Sequence, residues 1–179
     1  GRNITTGGCN IFIGKYSGCG MTTGEKNTFI GCAAGKSSST GSQNVILGFG
    51  AVSGSAGLTG SNNFITGYVA ADNATSATNN QIIGSYAGND LTSGSCNIFI
   101  GMNAGEKITT TCQNVFIGSY AGKCNTGSAN IAIGCNALEG SGGSSGTIAI
   151  GPRSGSSNTV GAYNIFLGFC AGNTNTSGC

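Results

Sequence analysis

The stretch CNIFIG stands at residues 9–14 and again at 96–101, and YNIFLG follows at 163–168. Each is one copy of a phrase that runs through the whole chain. Anchored on its closing glycine, the phrase recurs at Gly14, Gly31, Gly48, Gly67, Gly84, Gly101, Gly118, Gly134, Gly151 and Gly168, at spacings of 17, 17, 19, 17, 17, 17, 16, 17 and 17 residues. Four residues before the anchor stands Asn (Asn10, Asn27, Asn44, Asn63, Asn80, Asn97, Asn114, Asn130 and Asn164), with Thr147 the one exception. Three residues after the anchor is always Ala or Ser, from Ser17 and Ala34 to Ser154 and Ala171. Seven residues before it Gly returns in most copies, following Thr or Ser pairs such as Thr22–Thr23 and Thr109–Thr110. The consensus reads T-T-G-x-x-N-x-F-I-G-x-x-A-G.

A unit of this length, broken by glycine every few positions, is too short for the helix pairs of long-period repeat proteins, which need more than about 30 residues. It suits one coil of an all-β, parallel β-solenoid. Each coil would hold an I-F-I strand, a turn at the anchor, a short segment carrying the Ala, and a second extended piece through the Thr pair. Coils stacked about 4.8 Å apart let every strand pair with its counterpart above and below. About ten coils then form a rod roughly 50 Å long, and residues 1–179 read as a single repeat domain cut from a longer fibrous chain.

The conserved phases have physical reasons. Gly at a fixed corner adopts the positive φ that a branched residue resists. Ala or Ser past the anchor fits a constricted interior. Asn at one phase forms a structural ladder whose amides bond from coil to coil.

The strand carries further information, because alternate residues face opposite sides. Ile13, Ile30, Leu47, Ile83, Ile100, Ile117, Ile133, Ile150 and Leu167 form one apolar file, and Phe12, Phe29, Ile46, Ile65, Ile82, Phe99, Phe116 and Phe166 form the other. A strand apolar on both sides is buried on both sides, yet one coil's interior covers only one. The Phe-containing file is therefore the candidate interface, an apolar ladder too large for a soluble monomer to leave bare. Self-association along the long axis is expected, as a homotrimer or filament. The alternative is that a wide coil or the chain termini hide the second face within one chain.

Composition excludes other classes. The chain has 7% charged residues against about 25% in ordinary domains, and a net charge of +2 spread thinly along it. No basic patch points to nucleic acid, and no apolar run reaches the roughly 18 residues of a membrane insertion. The acids are Glu25, Asp72, Asp90, Glu106 and Glu139, and there is no His, so no enzyme, metal site or cofactor is expected. GCAAGKS at 31–37 falls one residue short of a phosphate-binding loop and shares its phase with GSYAGKC at 118–124, so it is the repeat's own turn.

Nine cysteines fit neither redox nor zinc spacing and imply disulfides in an oxidising, extracellular setting. By phase, Cys96 and Cys112 lie on adjacent coils, and Cys19 with Cys32 and Cys124 with Cys135 recur as a similar motif. These three pairs are the candidate disulfides.

NIAIG at 130–134, TIAIG at 147–151 and NVFIG at 114–118 resemble the head repeats of trimeric autotransporter adhesins. They also resemble N-x-F-I-G-x-x-A-G repeats of phage and giant-virus fibre proteins. The resemblance implies a left-handed β-roll on an extracellular, cell or virion surface. The period of 17 is longer than that of the adhesin heads, which are also poor in Cys. Three readings follow. The first is a self-associating fibre shaft. The second is an adhesin or receptor-binding module contacting a cell-surface or matrix ligand through the 19-residue coil near Gly54–Asn62 or through Gly140–Gly146. The third is an ice-binding solenoid carrying a Thr ladder.

Overall fold

A computed structural model describes residues 1–178. They form a parallel β-solenoid whose ten strands, three residues each, are one per coil: β1 (Ile11–Ile13), β2 (Thr28–Ile30), β3 (Val45–Leu47), β4 (Phe64–Thr66), β5 (Gln81–Ile83), β6 (Ile98–Ile100), β7 (Val115–Ile117), β8 (Ile131–Ile133), β9 (Ile148–Ile150) and β10 (Ile165–Leu167). The strands lie in sequence order in one sheet, and pairing is in register, Phe12 on Phe29 and Phe99 on Phe116. There is no helix among the described residues, hence none long and apolar enough to cross a membrane. The sequence period and the structural period are the same, because each coil hydrogen-bonds to the next at every corner. Examples are Ile11 N–H to Asn27 O at 2.8 Å, Gly20 N–H to Lys36 O at 2.8 Å and Thr22 N–H to Ser39 O at 2.9 Å.

The sheet faces inward with the middle residue of each strand. Phe29, Ile46, Ile65, Ile82, Phe99, Phe116, Ala132 and Ala149 are fully buried, with Phe12 and Phe166 packed against them at the ends. The Phe-containing file expected at an interface is thus the core, and the flanking residues point outward. The reason lies across the coil. Four residues after the anchor, the backbone crosses opposite the strand's middle side chain. Where that side chain is Phe, the crossing residue is Gly: a Cβ built on Gly35 would lie 2.5 Å from Phe29 Cδ2, and one on Gly18 2.6 Å from Phe12 Cε1. Where the strand offers Ile46 or Ile65, the crossing residue is Val52 or Ala71, and where it offers Ala132, it is Leu138. Gly155 crosses opposite Ala149, with the room taken by Leu138 and Phe166 of the adjacent coils. Gly88 likewise crosses opposite Ile82, with Phe99 of the next coil 3.2 Å from where its Cβ would lie, so interior volume is kept across neighbouring coils where it is not kept within one.

The Ala file closes the core as expected, with Ala34, Ala51, Ala70, Ala87, Ala104, Ala121 and Ala137 buried completely. Where Ser replaces Ala, the hydroxyl finds a carbonyl: Ser17 Oγ donates to Phe29 O at 2.9 Å and Ser154 Oγ to Gly151 O at 2.8 Å. The anchor glycines adopt φ of +120° to +145°, and a Cβ on Gly14 would meet Gly31 O at 2.5 Å. The sequence did not announce three further left-handed positions that ordinary residues fill. They lie five residues before the anchor (Lys26, Gln43, Cys96), two after it (Tyr16, Val69, Arg153) and, at the crossing position otherwise held by Gly, four after it (Val52, Ala71, Leu138). L-residues there cost about 1 kcal/mol or more each, offset by the inter-coil hydrogen bonds that hold them.

The irregular coils keep this frame. The two extra residues of the 19-residue coil swell outward at the exposed Ser55 and Ala56 before Leu58 returns to the core. In the 16-residue coil, Asn125 turns inward and donates to Ser141 Oγ at 2.8 Å and Ser144 Oγ at 3.3 Å. The Gly140–Gly146 segment is therefore partly core and not a free loop.

Exchanging volume across one coil tests this account. Gly35→Val should cost about 3 kcal/mol or more by overpacking against Phe29. Combined with Phe29→Ile, which reproduces the Ile46–Val52 pairing, it should cost clearly less than the sum of the single variants in thermal or denaturant unfolding.

Candidate functional site

Three polar ladders run along the stack. The Asn file is buried over seven consecutive coils, from Asn27 to Asn130, at 2% exposure or less. Each Oδ1 accepts the backbone N–H of the next Asn, from Asn27 N to Asn10 Oδ1 (2.9 Å) to Asn130 N to Asn114 Oδ1 (2.9 Å). Each Nδ2 donates to a carbonyl one coil on, such as Asn80 Nδ2 to Gly94 O at 3.0 Å. Both ends of a buried amide are thereby satisfied. At Thr147 the ladder stops: its N–H still donates to Asn130 Oδ1 at 2.9 Å, but its own Oγ1 is buried without a partner.

The other two ladders are at the surface. Six residues before the anchor, Ser and Thr hydroxyls accept the N–H of the preceding coil, as in Glu25 N to Ser42 Oγ at 3.0 Å and Ser128 N to Ser145 Oγ at 3.1 Å. Eight residues after the anchor, Thr hydroxyls donate to the next coil's carbonyl, as in Thr75 Oγ1 to Thr92 O at 2.9 Å and Thr92 Oγ1 to Thr109 O at 3.0 Å. The hydroxyls of Thr22, Thr75, Thr92 and Thr159 are thus spent on bonds between coils, whereas that of Thr109 is not. Thr109 and Thr110 are both exposed, so this contiguous pair does not alternate between the two faces as strand residues would.

The cysteines occupy the same framework. Cys112 stands in the Ser file, where its Sγ accepts the N–H of Ser95 at 3.3 Å. Cys96 stands one phase on, in the left-handed file, so the two belong to different rows and are not bridged. Cys19 and Cys124 lie five and six residues after their anchors, at one corner, whereas Cys32 and Cys135 directly follow theirs, at another. All eight described cysteines are free; Cys179 lies outside the described residues. The three expected disulfides are therefore absent among the described residues.

The charges gather at one corner. Lys36, Asp72, Asp90, Glu106, Lys107, Lys123 and Glu139 all stand five or six residues after an anchor, a phase relation the sequence reading missed. Lys107 Nζ lies 3.2 Å from Asp90 Oδ2 and 3.1 Å from Glu106 Oε1, and Lys123 Nζ lies 3.5 Å from Glu106 Oε2. Burial alone would raise the Glu106 carboxyl. Hydrogen bonds from Lys107 and Asn103 and the charges of both lysines outweigh it and hold the carboxyl below the usual carboxylate range.

The sheet's outward face is the opposite case, for none of the twelve charged side chains falls in a strand. Its two files are Ile11, Thr28, Val45, Phe64, Gln81, Ile98, Val115, Ile131, Ile148 and Ile165, and Ile13, Ile30, Leu47, Thr66, Ile83, Ile100, Ile117, Ile133, Ile150 and Leu167. All are half-buried or exposed. Ten short strands present about 450 Å², the size of the largest apolar patch on a typical soluble monomer, which is often functional. Just past the anchors the exposed Phe49, Tyr68 and Met102 add to it, with Phe49 stacked on Tyr68 at 5.6 Å. Among the described residues there is neither a pocket nor a group of three or more metal-ligating side chains. Comparison with protein-family profiles, curated proteins and solved structures finds no match.

Two expectations follow. Thr147→Asn should rebuild the ladder toward Asn164 and stabilise the fold by about 1 kcal/mol, whereas Asn80→Ala should cost roughly 3 kcal/mol by stranding buried groups, both read in denaturant unfolding. Because the Glu106 carboxyl is lowered in the folded state, its contribution is present above the ordinary carboxylate pKa and lost as pH falls through the lowered one. Glu106→Gln should therefore flatten the acid limb of the stability–pH profile, by under about 1 kcal/mol for this solvent-screened cluster.

Proposed function

We infer that this chain is a structural repeat protein, a segment of the shaft of an extracellular or virion fibre that self-associates as a homotrimer or filament. The observation that carries the reading is the segregation of its surface. The two outward strand files of one flat face are mostly aliphatic and free of charge along the whole stack, while seven of the twelve charged groups share one corner. The occupant of the apolar face is a second copy of the chain. Two such faces bury about 900 Å² from the strands alone, and the aromatic rim brings this to the 1,000 Å² or more that a specific interface needs. A face with no charge and no deep feature has nothing to select an unrelated partner, but it is complementary to itself. The surface setting rests on the resemblance of NVFIG and NIAIG to fibre and adhesin-head repeats. The cysteines enter the proposal only as free thiols, not as reinforcement.

Particle mass decides this reading. Light scattering should give a multiple of 17.5 kDa. Ile100→Lys with Ile117→Lys, which places two charges in the middle of the face, should yield a folded monomer, because burying unpaired ammonium groups is prohibitive. A native chain that runs at 17.5 kDa at all accessible concentrations would overturn it.

A further inference from the structure

The two strand files of the outward face repeat so closely that, apart from the aromatic rim of Phe49 and Tyr68, they carry little information about register. A copy slid along by one coil, about 4.8 Å, meets almost the same Ile, Val and Leu side chains. Three of the twenty positions depart from aliphatic or aromatic character: Thr28, Thr66 and Gln81. Thr still presents a methyl group on a branched Cβ, much as Val does. Gln81 ends in a primary amide, with two donors and an acceptor oxygen.

Gln81 is exposed, and its neighbours in its own file are Phe64 and Ile98. Its side-chain amide makes no hydrogen bond to any described residue, so in the isolated chain water satisfies it. Once a second copy covers the face, that water is displaced. An amide buried against aliphatic side chains is penalised, whereas two amides facing each other satisfy one another.

We propose that Gln81 fixes the register in which copies of this chain meet, by pairing with its own counterpart in the second copy. The inference rests on the self-association reading above. A slip of one coil in either direction leaves two amides unpaired, and the aliphatic positions around them offer almost the same contacts as before. A single buried Asn specifies the register of a coiled coil by the same logic. The position suits the role, for β5 has four strands before it and five after it in the sheet. Pairing at this coil overlaps nine or all ten strands, whether the copies run parallel or antiparallel.

The test measures inter-copy distance by pulsed electron resonance, with a nitroxide-bearing unnatural amino acid at the exposed Ser93. The native chain should give one narrow distance. Gln81→Ile should keep the particle mass but spread the distance into a series about 4.8 Å apart. Gln81→Glu should lower the particle mass at neutral pH and restore it below about pH 4, where the facing carboxyls are protonated. An oligomeric Gln81→Ile that keeps the single narrow distance, or a Gln81→Glu that assembles normally at neutral pH, would overturn the register role and leave self-association standing. A native chain that is monomeric would overturn both.

Discussion

Every coil of this solenoid has to keep the girth of its neighbours, because the backbone bonds that join them repeat at each corner. A coil too wide or too narrow at one phase would break the ladder at the next. This constraint explains the pairing of Phe29 with Gly35, Ile46 with Val52 and Ala132 with Leu138 across the same interior. It also explains how the chain absorbs irregular repeats. The long coil expels Ser55 and Ala56 to the surface, while the short one draws Asn125 inward, where its Oδ1 also accepts the N–H of Gly127 at 2.8 Å. Surface detail varies so that internal dimensions do not.

Polar ladders suit such a fold for a related reason. A buried amide is costly alone, but a file of identical amides supplies every member except the last with partners. The Asn file works this way inside, and the Ser and Thr files do so at the surface with hydroxyl groups. A second short Asn row, in which Asn175 Nδ2 donates to Asn158 Oδ1 at 3.1 Å, appears where the apolar corner of Met21, Leu91 and Ile108 gives way to polar residues. Stability is then a sum over nearest neighbours, and a single exception such as Thr147 is felt locally.

Much of this architecture was legible, because a period read off Gly, Asn and Ala is also the period of the coil. The strand positions, the buried Ala file and the amide ladder follow from phase alone. What phase could not give was the sign of the strand's two faces: alternation separates Phe29 from Ile30 without saying which is inside. The deciding signal sat six residues later in the sequence, in the correlated size of Gly35, Val52 and Leu138. Nor did phase mark left-handed positions such as Lys26 and Val69, since glycine preference is the usual cue and these sites are held by inter-coil bonds instead. The cysteines misled for a similar reason. Adjacent coils bring residues close only within one file, and Cys112 belongs to the Ser file while Cys96 does not.

Repetition specifies register within the chain and erases it between chains. Inside, a slip of one residue would drive Asn80 out of its ladder and the wrong strand residue into the core, so the stack is fixed many times over. Outside, each coil offers nearly the same pair of aliphatic side chains, and the charges that commonly set orientation between partners are withdrawn to the corner of Asp90, Glu106 and Lys107. Two copies meeting on such a face, as proposed, would find little in its strand files to distinguish one way of meeting from another. Under the proposed self-association, order between copies would come from the few positions where the repeat is broken. A departure from consensus costs a little inside the solenoid, and on the outward face it would be the chief source of specificity in the proposed assembly.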